Sequence, residues 1–134
     1  MAMLSITKEF LFDAAHTLER RDLSQEENQA LYGKCSRFHG HTYRLQITVS
    51  GDVGADGMII NFSRLKDLVK AAVVDRYDHA FLNDLEEYED LPPTAENMVQ
   101  HIFRVLDPVV AKMAVRLESV VLYETPTSWA TMTR

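Results

Sequence analysis

Apolar and polar residues alternate along much of this chain, which is the pattern of strands that bury one face. The clearest case lies over residues 43–50, where every second residue from Tyr43 onward is apolar. Related patterns, or runs rich in valine and leucine, cover residues 3–15, 115–123 and 128–133. The sequence therefore predicts four strands, with a long stretch of different character between the second and the third.

That intervening stretch has apolar residues spaced three and four apart, which predicts helices over residues 64–76 and 95–107. Ser63 and Thr94 are placed to cap the two helices, and Pro108 is expected to end the second. The stripes expected to be buried comprise Phe62, Leu65, Val69, Ala72 and Val73 in the first helix, and Val99, Ile102, Phe103 and Leu106 in the second.

The order of the strands and the two long helices is ββααββ, which indicates the fold class. Strands in pairs around two consecutive helices favour an α+β fold, in which an antiparallel sheet carries both helices on one face. A shorter helix over residues 25–31 is indicated by Ser24 and Glu27, which have the spacing of a capping box. A sheet of four strands has two open edges, so we expect association into a homo-oligomer.

The composition indicates one domain over residues 1–134 and a small-molecule partner. A chain of 134 residues that is 46% hydrophobic can form one core but not two. The net charge of −6 disfavours nucleic-acid binding, and no apolar run approaches the ~20 residues of a membrane span. Lys8 and Glu9 interrupt the segment in which a signal peptide would need an apolar core, and the single cysteine suits a reducing compartment. We therefore expect a cytoplasmic protein.

Two histidines, His39 and His41, precede the strand over residues 43–50 and are separated by one glycine. In an extended chain they project to the same side, as a pair that binds one metal ion must. A zinc site needs a third ligand, and His16 is the best candidate because it ends the first predicted strand in phase with Phe12. Taken alone, His16 is also explained as a half-buried histidine at a strand end. Together the three histidines favour a zinc site.

Cys35 leaves the type of zinc site open. If it binds zinc with the three histidines, the site is closed and structural, and the chain is a non-catalytic interaction domain. If it stays off the metal, a position remains for substrate oxygens, and a thiolate nearby acts as general base or nucleophile. A third possibility is a zinc hydrolase that uses a metal-bound hydroxide and does not need Cys35.

Three further sites, one of them a pair of residues, have both a chemical and a structural explanation. Asp78 and His79 form a possible proton-transfer pair after the first long helix, although adjacent residues point apart unless a turn reorients them. Glu96 lies in the first turn of the second long helix, where a carboxylate is favoured by the helix dipole alone. Glu124 follows an apolar strand and either reaches into a cleft, where it accepts paired N–H donors, or lies in solvent.

Five motifs in this chain resemble those of the 6-pyruvoyl- and 6-carboxy-tetrahydropterin synthase family, and they extend over nearly its whole length. Phe12-Asp13-Ala14-Ala15-His16 resembles the family's first zinc-ligand motif, and Cys35 with His39-Gly40-His41 resembles its cysteine and remaining zinc ligands. Asp78-His79 is similar to the pair that works with that cysteine. The segments similar to the pterin-contacting ones are Pro93-Thr94-Ala95-Glu96-Asn97 and Glu124-Thr125-Pro126-Thr127.

The resemblance implies a fold, a substrate and a set of roles. The fold is the tunnelling fold, in which sheets of several subunits join into a barrel, usually as a hexamer built from two trimers with active sites between subunits. The substrate is 7,8-dihydroneopterin triphosphate. The implied zinc ligands are His16, His39 and His41, and the catalytic residues are Cys35, Asp78 and His79. The implied pterin contacts are Glu124, which anchors the ring, with Glu96, Thr94 and Ala95.

The spacing of the cysteine motif bears on the branch of the family. Three residues between Cys35 and His39 resemble the enzymes that form 6-carboxy-tetrahydropterin and acetaldehyde on the way to 7-deazaguanines such as queuosine. The longer segment over residues 24–35 resembles the 6-pyruvoyl-forming branch instead. A third branch, which releases a hydroxymethyl pterin, has glutamate in place of the cysteine, and Cys35 argues against it.

A triphosphate group requires positive charge. The basic residues near the motif are Arg20, Arg21, Lys34 and Arg37, but neighbouring acidic residues balance them, so the sequence favours an ordinary solvated surface here.

Overall fold

Five strands form one sheet in the order β3-β1-β2-β4-β5 in the computed structural model, which describes residues 2–134. The strands are β1 (Ser5–His16), β2 (His39–Ser50), β3 (Ala80–Phe81), β4 (Arg116–Thr125) and β5 (Ser128–Thr133). The four long strands pair in antiparallel fashion, as expected from the sequence. The two-residue strand β3 was not expected, and it pairs parallel to β1, so the sheet is mixed rather than purely antiparallel. Two residues are too few to show an alternating pattern.

The helices are α1 (Gln25–Tyr32), α2 (Phe62–Val69), α3 (Asp75–Tyr77) and α4 (Ala95–Ala111). A π-helical turn over Lys70–Val74 joins α2 to α3, so the two form one continuous helical segment. Short 3-10 helices occupy Gly33–Ser36, Leu82–Asp84 and Glu86–Tyr88. Within residues 2–134, none of the helices has both the length and the apolar character that crossing a membrane would require.

The core lies between one face of the sheet and the helices α2 and α4. On β2, the alternate residues Tyr43, Leu45, Ile47 and Val49 are fully buried, as their spacing predicted. Leu65 and Val69 of α2 and Ile102 and Leu106 of α4 pack against this face with no exposed surface. The opposite face of the sheet carries Glu9, Leu11 and Arg44, which are partly or fully exposed. Both helices therefore lie on one face, as the α+β prediction required.

Three details of the helices differ from the prediction. Pro108 does not end α4, which continues to Ala111. A proline removes only one helical hydrogen bond, and the final turn is held by Val110, which is fully buried. Asn61, rather than Ser63, caps α2, because its Oδ1 accepts a hydrogen bond of 2.8 Å from the Ser63 amide. Phe62 was expected in the core but its exposed fraction is 52%, because it lies in the first turn of α2.

The strand β2 begins at His39, four residues before the predicted start. Its register with β1 runs without interruption from Ser5 opposite Ser50 to His16 opposite His39. The two predicted histidine motifs therefore lie at the same end of the same strand pair. This pairing positions the candidate site.

Candidate functional site

Three histidine side chains meet where β1 ends and β2 begins. His16 is the cross-strand partner of His39. His41 lies opposite Ala14, two residues further from this end of the strand pair. The His16 and His39 Nε2 atoms are 3.0 Å apart, and the ring centres of His39 and His41 are 4.9 Å apart. His16 is fully buried, while His39 and His41 are half-buried. The structure thus brings together the three residues that the sequence proposed as zinc ligands.

Backbone carbonyls determine the tautomers of two of these rings. His16 Nδ1 lies 2.9 Å from the Pro93 carbonyl oxygen, and His39 Nδ1 lies 2.6 Å from the Arg37 carbonyl oxygen. A carbonyl can only accept, so each Nδ1 carries a proton and donates it. In the neutral rings both Nε2 atoms therefore present lone pairs to each other at close range. A cation between them removes that repulsion, and carbonyl-oriented imidazoles are typical of metal ligands.

Glu124, near the end of β4, completes this cluster. Its Oε1 atom lies 3.0 Å from His41 Nε2 and 3.5 Å from His16 Nε2. Despite that short distance, the buried His41 Nε2 makes no hydrogen bond of acceptable geometry with any group in residues 2–134. One donor atom from each of the four residues lies within 4.8 Å of the others. Three imidazoles and a carboxylate form a donor set that suits zinc.

The ionisable groups in this cluster shift one another's pKa values. The pKa of the Glu124 carboxyl lies below its usual value, chiefly because of the neighbouring His16 imidazole and then because of the attraction of His41. Burial lowers the pKa of His41, and the nearby Glu124 carboxylate only partly offsets this. His41 is thereby favoured in its neutral form, which is the form that binds a metal.

Cys35 lies outside the cluster. It is half-buried in the 3-10 helix Gly33–Ser36, and its carbonyl accepts a hydrogen bond of 2.9 Å from the Leu18 amide. Of the residues that the structure describes, the fourth donor beside the histidines is Glu124 and not Cys35. This arrangement disfavours a closed site made of one cysteine and three histidines.

Asp78 and His79 form a separate pair between α3 and β3. His79 Nδ1 lies 3.0 Å from Asp78 Oδ1, and His79 has a left-handed backbone with φ of 63°. This conformation is the reorienting turn that the sequence argument required. The His79 side chain is 79% exposed, so the pair faces outward from this chain.

The strand β1 supports this pair through Asp13. The Asp13 amide donates to Asp78 Oδ1 at 3.0 Å, and the Asp13 carbonyl accepts from the His79 amide at 2.6 Å. The hydrogen bond from the Asp13 amide is the main reason that the pKa of Asp78 is lowered, with His79 adding to it. Thr42 in turn donates to Asp13 Oδ1 at 2.5 Å. The sequence did not indicate Asp13, whose only signal was its position within the first histidine motif.

His41 and His79 line one open cavity of about 420 Å³, together with Asp13, Thr42 and Ala80. The cluster of three histidines and Glu124 and the outward-facing Asp78–His79 pair are therefore neighbours at one end of the sheet.

A second cavity of about 420 Å³ contains three of the four predicted pterin contacts. Ala95, Glu96 and Glu124 line it, and the β5 residues Ser128, Trp129, Ala130 and Thr131 complete the wall. Thr94 caps α4 by accepting a hydrogen bond of 3.1 Å from the Asn97 amide, and it holds the start of the helix at this cavity. The sequence did not indicate the β5 residues, because the cavity forms only when β5 folds back along β4.

A third cavity, of about 490 Å³, is lined by three arginines: Arg20, Arg21 and Arg37. Arg20 forms an ion pair of 2.5 Å with Asp22, whereas the Arg21 guanidinium donates to the Asn83 carbonyl at 3.4 Å. Arg37 lies beside the three histidines and Glu124, because its carbonyl oxygen accepts a hydrogen bond from His39 Nδ1. Glu19 also lines this cavity and Arg20 is paired with Asp22, so the charges that remain unbalanced here are small in number.

The family model for 6-pyruvoyl tetrahydropterin synthase matches residues 5–134. This chain belongs to that family. The resemblance drawn from the five motifs is thereby confirmed.

Relatives in the tetrahydropterin synthase family carry two different names. A 6-carboxy-5,6,7,8-tetrahydropterin synthase from Haemophilus influenzae is 35% identical, with 95% of this chain and 96% of that protein covered. A 6-pyruvoyl tetrahydrobiopterin synthase from Dictyostelium discoideum is 39% identical, with 77% of this chain and 78% of that protein covered. Sequence identity at this level establishes the family and leaves both branches as candidates.

Solved structures of the family share the fold. The 6-pyruvoyl tetrahydropterin synthase of Caenorhabditis elegans superposes with a TM-score of 0.88 at 29% identity, covering 100% of this chain and 97% of that one. The Plasmodium falciparum protein gives a TM-score of 0.67 at 20% identity over 100% of this chain and 99% of its own. The chain has the tunnelling fold, as the resemblance implied.

Proposed function

We propose that this chain is a zinc-dependent 6-carboxy-5,6,7,8-tetrahydropterin synthase, a lyase that converts 7,8-dihydroneopterin triphosphate to 6-carboxy-tetrahydropterin, acetaldehyde and triphosphate. The observation that carries the proposal is the convergence of three histidines with Glu124 at one end of the sheet, next to a cavity of about 420 Å³. The short spacing between Cys35 and His39 favours the 6-carboxy branch. The Haemophilus influenzae relative supports that branch because its match covers 95% of this chain.

The cavity beside Glu124 is proposed to hold the pterin ring. A carboxylate accepts two parallel N–H bonds from the 2-amino and ring N–H edge of a pterin, which is a strong, oriented contact. Glu96 lies on the same wall, and Thr94 and Ala95 hold the start of α4 against the ring. Trp129, with 55% of its surface exposed, offers an apolar face at the mouth.

His16, His39 and His41 are proposed to hold zinc, which when bound supplies Lewis-acid polarisation of hydroxyl groups on the substrate side chain. The chain's own contribution is to orient the imidazoles. Pro93 and Arg37 do this through their carbonyl oxygens, which hold the Nδ1 protons and aim the Nε2 atoms at one point.

Cys35 is proposed to move protons to and from the substrate side chain, with Asp78 and His79 as its relay. In the described part of the chain Cys35 belongs to neither side-chain cluster, and His79 faces outward. We therefore propose that two copies of the chain assemble each active site, one giving Cys35 and the other giving the Asp78–His79 pair. This arrangement suits the barrel of several subunits, a hexamer of two trimers, that the resemblance implied.

The arginine cavity is proposed to bind the triphosphate group. Among residues 2–134, Arg37 and Arg21 form no ion pair with a carboxylate, in contrast to Arg20, and guanidinium groups are well matched to phosphate oxygens. Arg37 is two residues from His39, so a substrate with its side chain at the cluster has its phosphates within reach of this cavity. The proposal also places the chain in the cytoplasm as one domain, in keeping with its single unpaired cysteine.

A 6-pyruvoyl-tetrahydropterin synthase is the second candidate. The observation that favours it is the segment over residues 24–35, which resembles the 6-pyruvoyl-forming branch and forms α1 and the 3-10 helix that contains Cys35. The Dictyostelium discoideum relative adds weight, with 39% identity. A non-catalytic zinc domain is the third candidate, and the position of Cys35 outside the cluster disfavours it.

One experiment separates these candidates. Zinc-loaded protein is incubated with 7,8-dihydroneopterin triphosphate, the pterin product is identified by mass spectrometry, and acetaldehyde is trapped in parallel. The proposal predicts 6-carboxy-tetrahydropterin and one acetaldehyde for each substrate consumed. A 6-pyruvoyl product without acetaldehyde would establish the second candidate, and an unconsumed substrate would support the third. The Cys35→Ala variant is the matched control, because it retains all four groups of the metal cluster.

A further inference from the structure

We propose that Glu124 has two partners in turn: it is the fourth zinc ligand while the pterin cavity is empty, and it leaves the metal when a pterin binds. This inference rests on the proposed function. It means that one residue, Glu124, links binding of the pterin ring to the opening of a coordination position on zinc. Its basis is the position of Glu124, whose Oε1 atom lies among the histidines and whose side chain also lines the cavity proposed for the pterin.

The distances fit four-coordinate zinc. When ligand atoms lie about 2.0 Å from a tetrahedral zinc ion, neighbouring ligand atoms are about 3.3 Å apart. The observed separations are 3.0 Å between His16 Nε2 and His39 Nε2, and 3.0 Å and 3.5 Å from Glu124 Oε1 to His41 Nε2 and His16 Nε2. All three match an edge of that tetrahedron to within a few tenths of an ångström. Glu124 Oε1 is therefore placed where a fourth zinc ligand would lie.

The same oxygen cannot bind zinc and the pterin edge in its best geometry at the same time. A carboxylate that accepts two parallel N–H bonds turns both oxygens toward the ring. Glu124 is one of the residues lining the cavity with Glu96 and Trp129, and its side chain is 25% exposed. A small rotation toward that open side moves Oε1 out of the cluster. The vacated corner is then free for a hydroxyl oxygen of the substrate.

The backbone at Glu124 permits this movement. Pairing of β2 with β4 ends at Arg44 opposite Tyr123, and pairing of β4 with β5 shifts register between Tyr123 and Thr125. Glu124 thus lies at a bulge, with no partner residue in either ladder among residues 2–134. Bulges re-aim side chains beside functional sites and leave the local strand less constrained.

The exchange is an equilibrium with no change of oxidation state: one carboxylate–metal contact is replaced by one hydroxyl–metal contact and two hydrogen bonds to the ring. Because coupling between two sites is reciprocal, a bound pterin must weaken the Glu124–zinc contact by the same factor by which that contact weakens pterin binding. In the absence of pterin the closed site keeps zinc bound.

The first test compares two variants that remove the same charge from the same cavity, Glu124→Gln and Glu96→Gln. Zinc affinity is measured by competition with a chromophoric chelator, without pterin. We expect Glu124→Gln to raise the zinc Kd by about tenfold or more, as loss of a supporting ligand does, and Glu96→Gln to leave it within about twofold. Equal zinc affinity in wild type and Glu124→Gln would overturn the ligand role.

The second test uses the unmodified protein, so it does not depend on the folding of a variant. Cobalt is substituted for zinc, and the visible absorption of the cobalt ion is recorded with and without 7,8-dihydroneopterin, which has the ring and hydroxyls but no triphosphate. We expect the spectrum to change as one ligand is exchanged in wild type, and the pterin-free spectrum of Glu124→Gln to differ from that of wild type. A wild-type spectrum unchanged at saturating pterin would overturn the exchange. A wild-type protein that binds neither zinc nor cobalt would overturn the proposed function itself, which is a separate result.

Discussion

His16 and His39 face each other across the first strand pair with their Nε2 atoms 3.0 Å apart, and the Nδ1 atom of each lies against a backbone carbonyl. With Nδ1 protonated in both rings, neither Nε2 has a proton to offer the other. Folding therefore brings two lone pairs together in a partly buried place, which costs free energy unless a cation is present. The stability of this protein is thus expected to depend on zinc.

Zinc at a hundredfold excess over its Kd is expected to raise the free energy of unfolding by about 2.7 kcal/mol, since it binds the folded state. The measurement is denaturant unfolding with added zinc and with a chelator. His39→Ala should lose the response, whereas His101→Ala, a histidine of α4 outside the cluster, should keep it. A zinc response that survives in His39→Ala would contradict the assignment of His39.

Replacing Cys35 with alanine separates the catalytic from the structural explanation of the site. Because Cys35 lies outside the cluster, Cys35→Ala is expected to bind zinc with wild-type affinity. Its turnover of 7,8-dihydroneopterin triphosphate should fall by about 10²–10⁴-fold, the usual contribution of a general acid–base group. Zinc content and turnover are measured on the same sample. A variant that loses zinc would show instead that Cys35 is a ligand.

Mixing inactive variants tests whether two copies build one active site. Cys35→Ala and His79→Ala are each expected to be nearly inactive. Co-expressed, they should regain measurable turnover, because some interfaces then combine an intact Cys35 with an intact Asp78–His79 pair. The control is each variant co-expressed with itself. Activity of the mixture that equals the mean of the two separate variants would place Cys35 and His79 of one chain in the same site.

Arg37→Gln tests the triphosphate cavity. Removing one charge-assisted contact to phosphate is expected to raise the KM for 7,8-dihydroneopterin triphosphate by about tenfold to a hundredfold, since such contacts contribute about 1.5–3 kcal/mol. The affinity for 7,8-dihydroneopterin, which has no phosphate, should stay the same. Arg64→Gln, which removes an exposed arginine of α2 near Met113, is the matched control. An equal loss of affinity for both ligands would show that Arg37 acts through His39 and not through phosphate.

Glu87, which lies outside the histidine cluster, is expected to make the free energy of unfolding depend on pH. Its carboxylate accepts bonds of 2.7 Å and 2.5 Å from Arg76, its side chain is 8% exposed, and hydrogen bonds from Arg76 hold its pKa below the usual value. A lowered pKa means that the folded state binds the proton less readily than the unfolded state does. The stabilisation is therefore present above the unfolded pKa of about 4.3 and is lost as the pH falls through the folded pKa.

Urea unfolding of wild type and Glu87→Gln at neutral pH and at about pH 3 measures this contribution. We expect Glu87→Gln to be less stable by about 1 kcal/mol at neutral pH, a modest value because Arg76 is half-exposed and screened by water. The difference between the two proteins should shrink toward pH 3. Glu89→Gln, an exposed glutamate of the same segment, is the control. A difference that stays constant with pH would assign the effect to packing.

Local periodicity was sufficient to predict much of the fold. Alternation identified the buried face of β2, and the spacing of Leu65 and Val69 identified the buried face of α2. These patterns are readable because side-chain direction repeats every two residues in a strand and every 3.6 in a helix. The same rule placed His39 and His41 on one side of a strand. The phase of His16 with Phe12 at the end of the first predicted strand supplied the third histidine, and the family motifs agreed with it.

Other features required long-range contacts. The strand β3 forms through the pairing of Ala80 with Ala14 of β1. The helix α4 continues past Pro108 because Val110 is buried in the core. Asp13 supports Asp78 through backbone groups whose partners cannot be read from residue types.

The sequence by itself determined the elements, the buried faces and the types of residue available for chemistry, because these depend on neighbours along the chain. Only the tertiary structure decided which of those residues meet. Glu124 had the sequence signal of a pterin anchor, but the register of β2 and β4 also places its carboxylate among three imidazoles, while Cys35 stays outside. The distance between groups far apart in sequence is set by strand register and helix packing, and no local pattern encodes it.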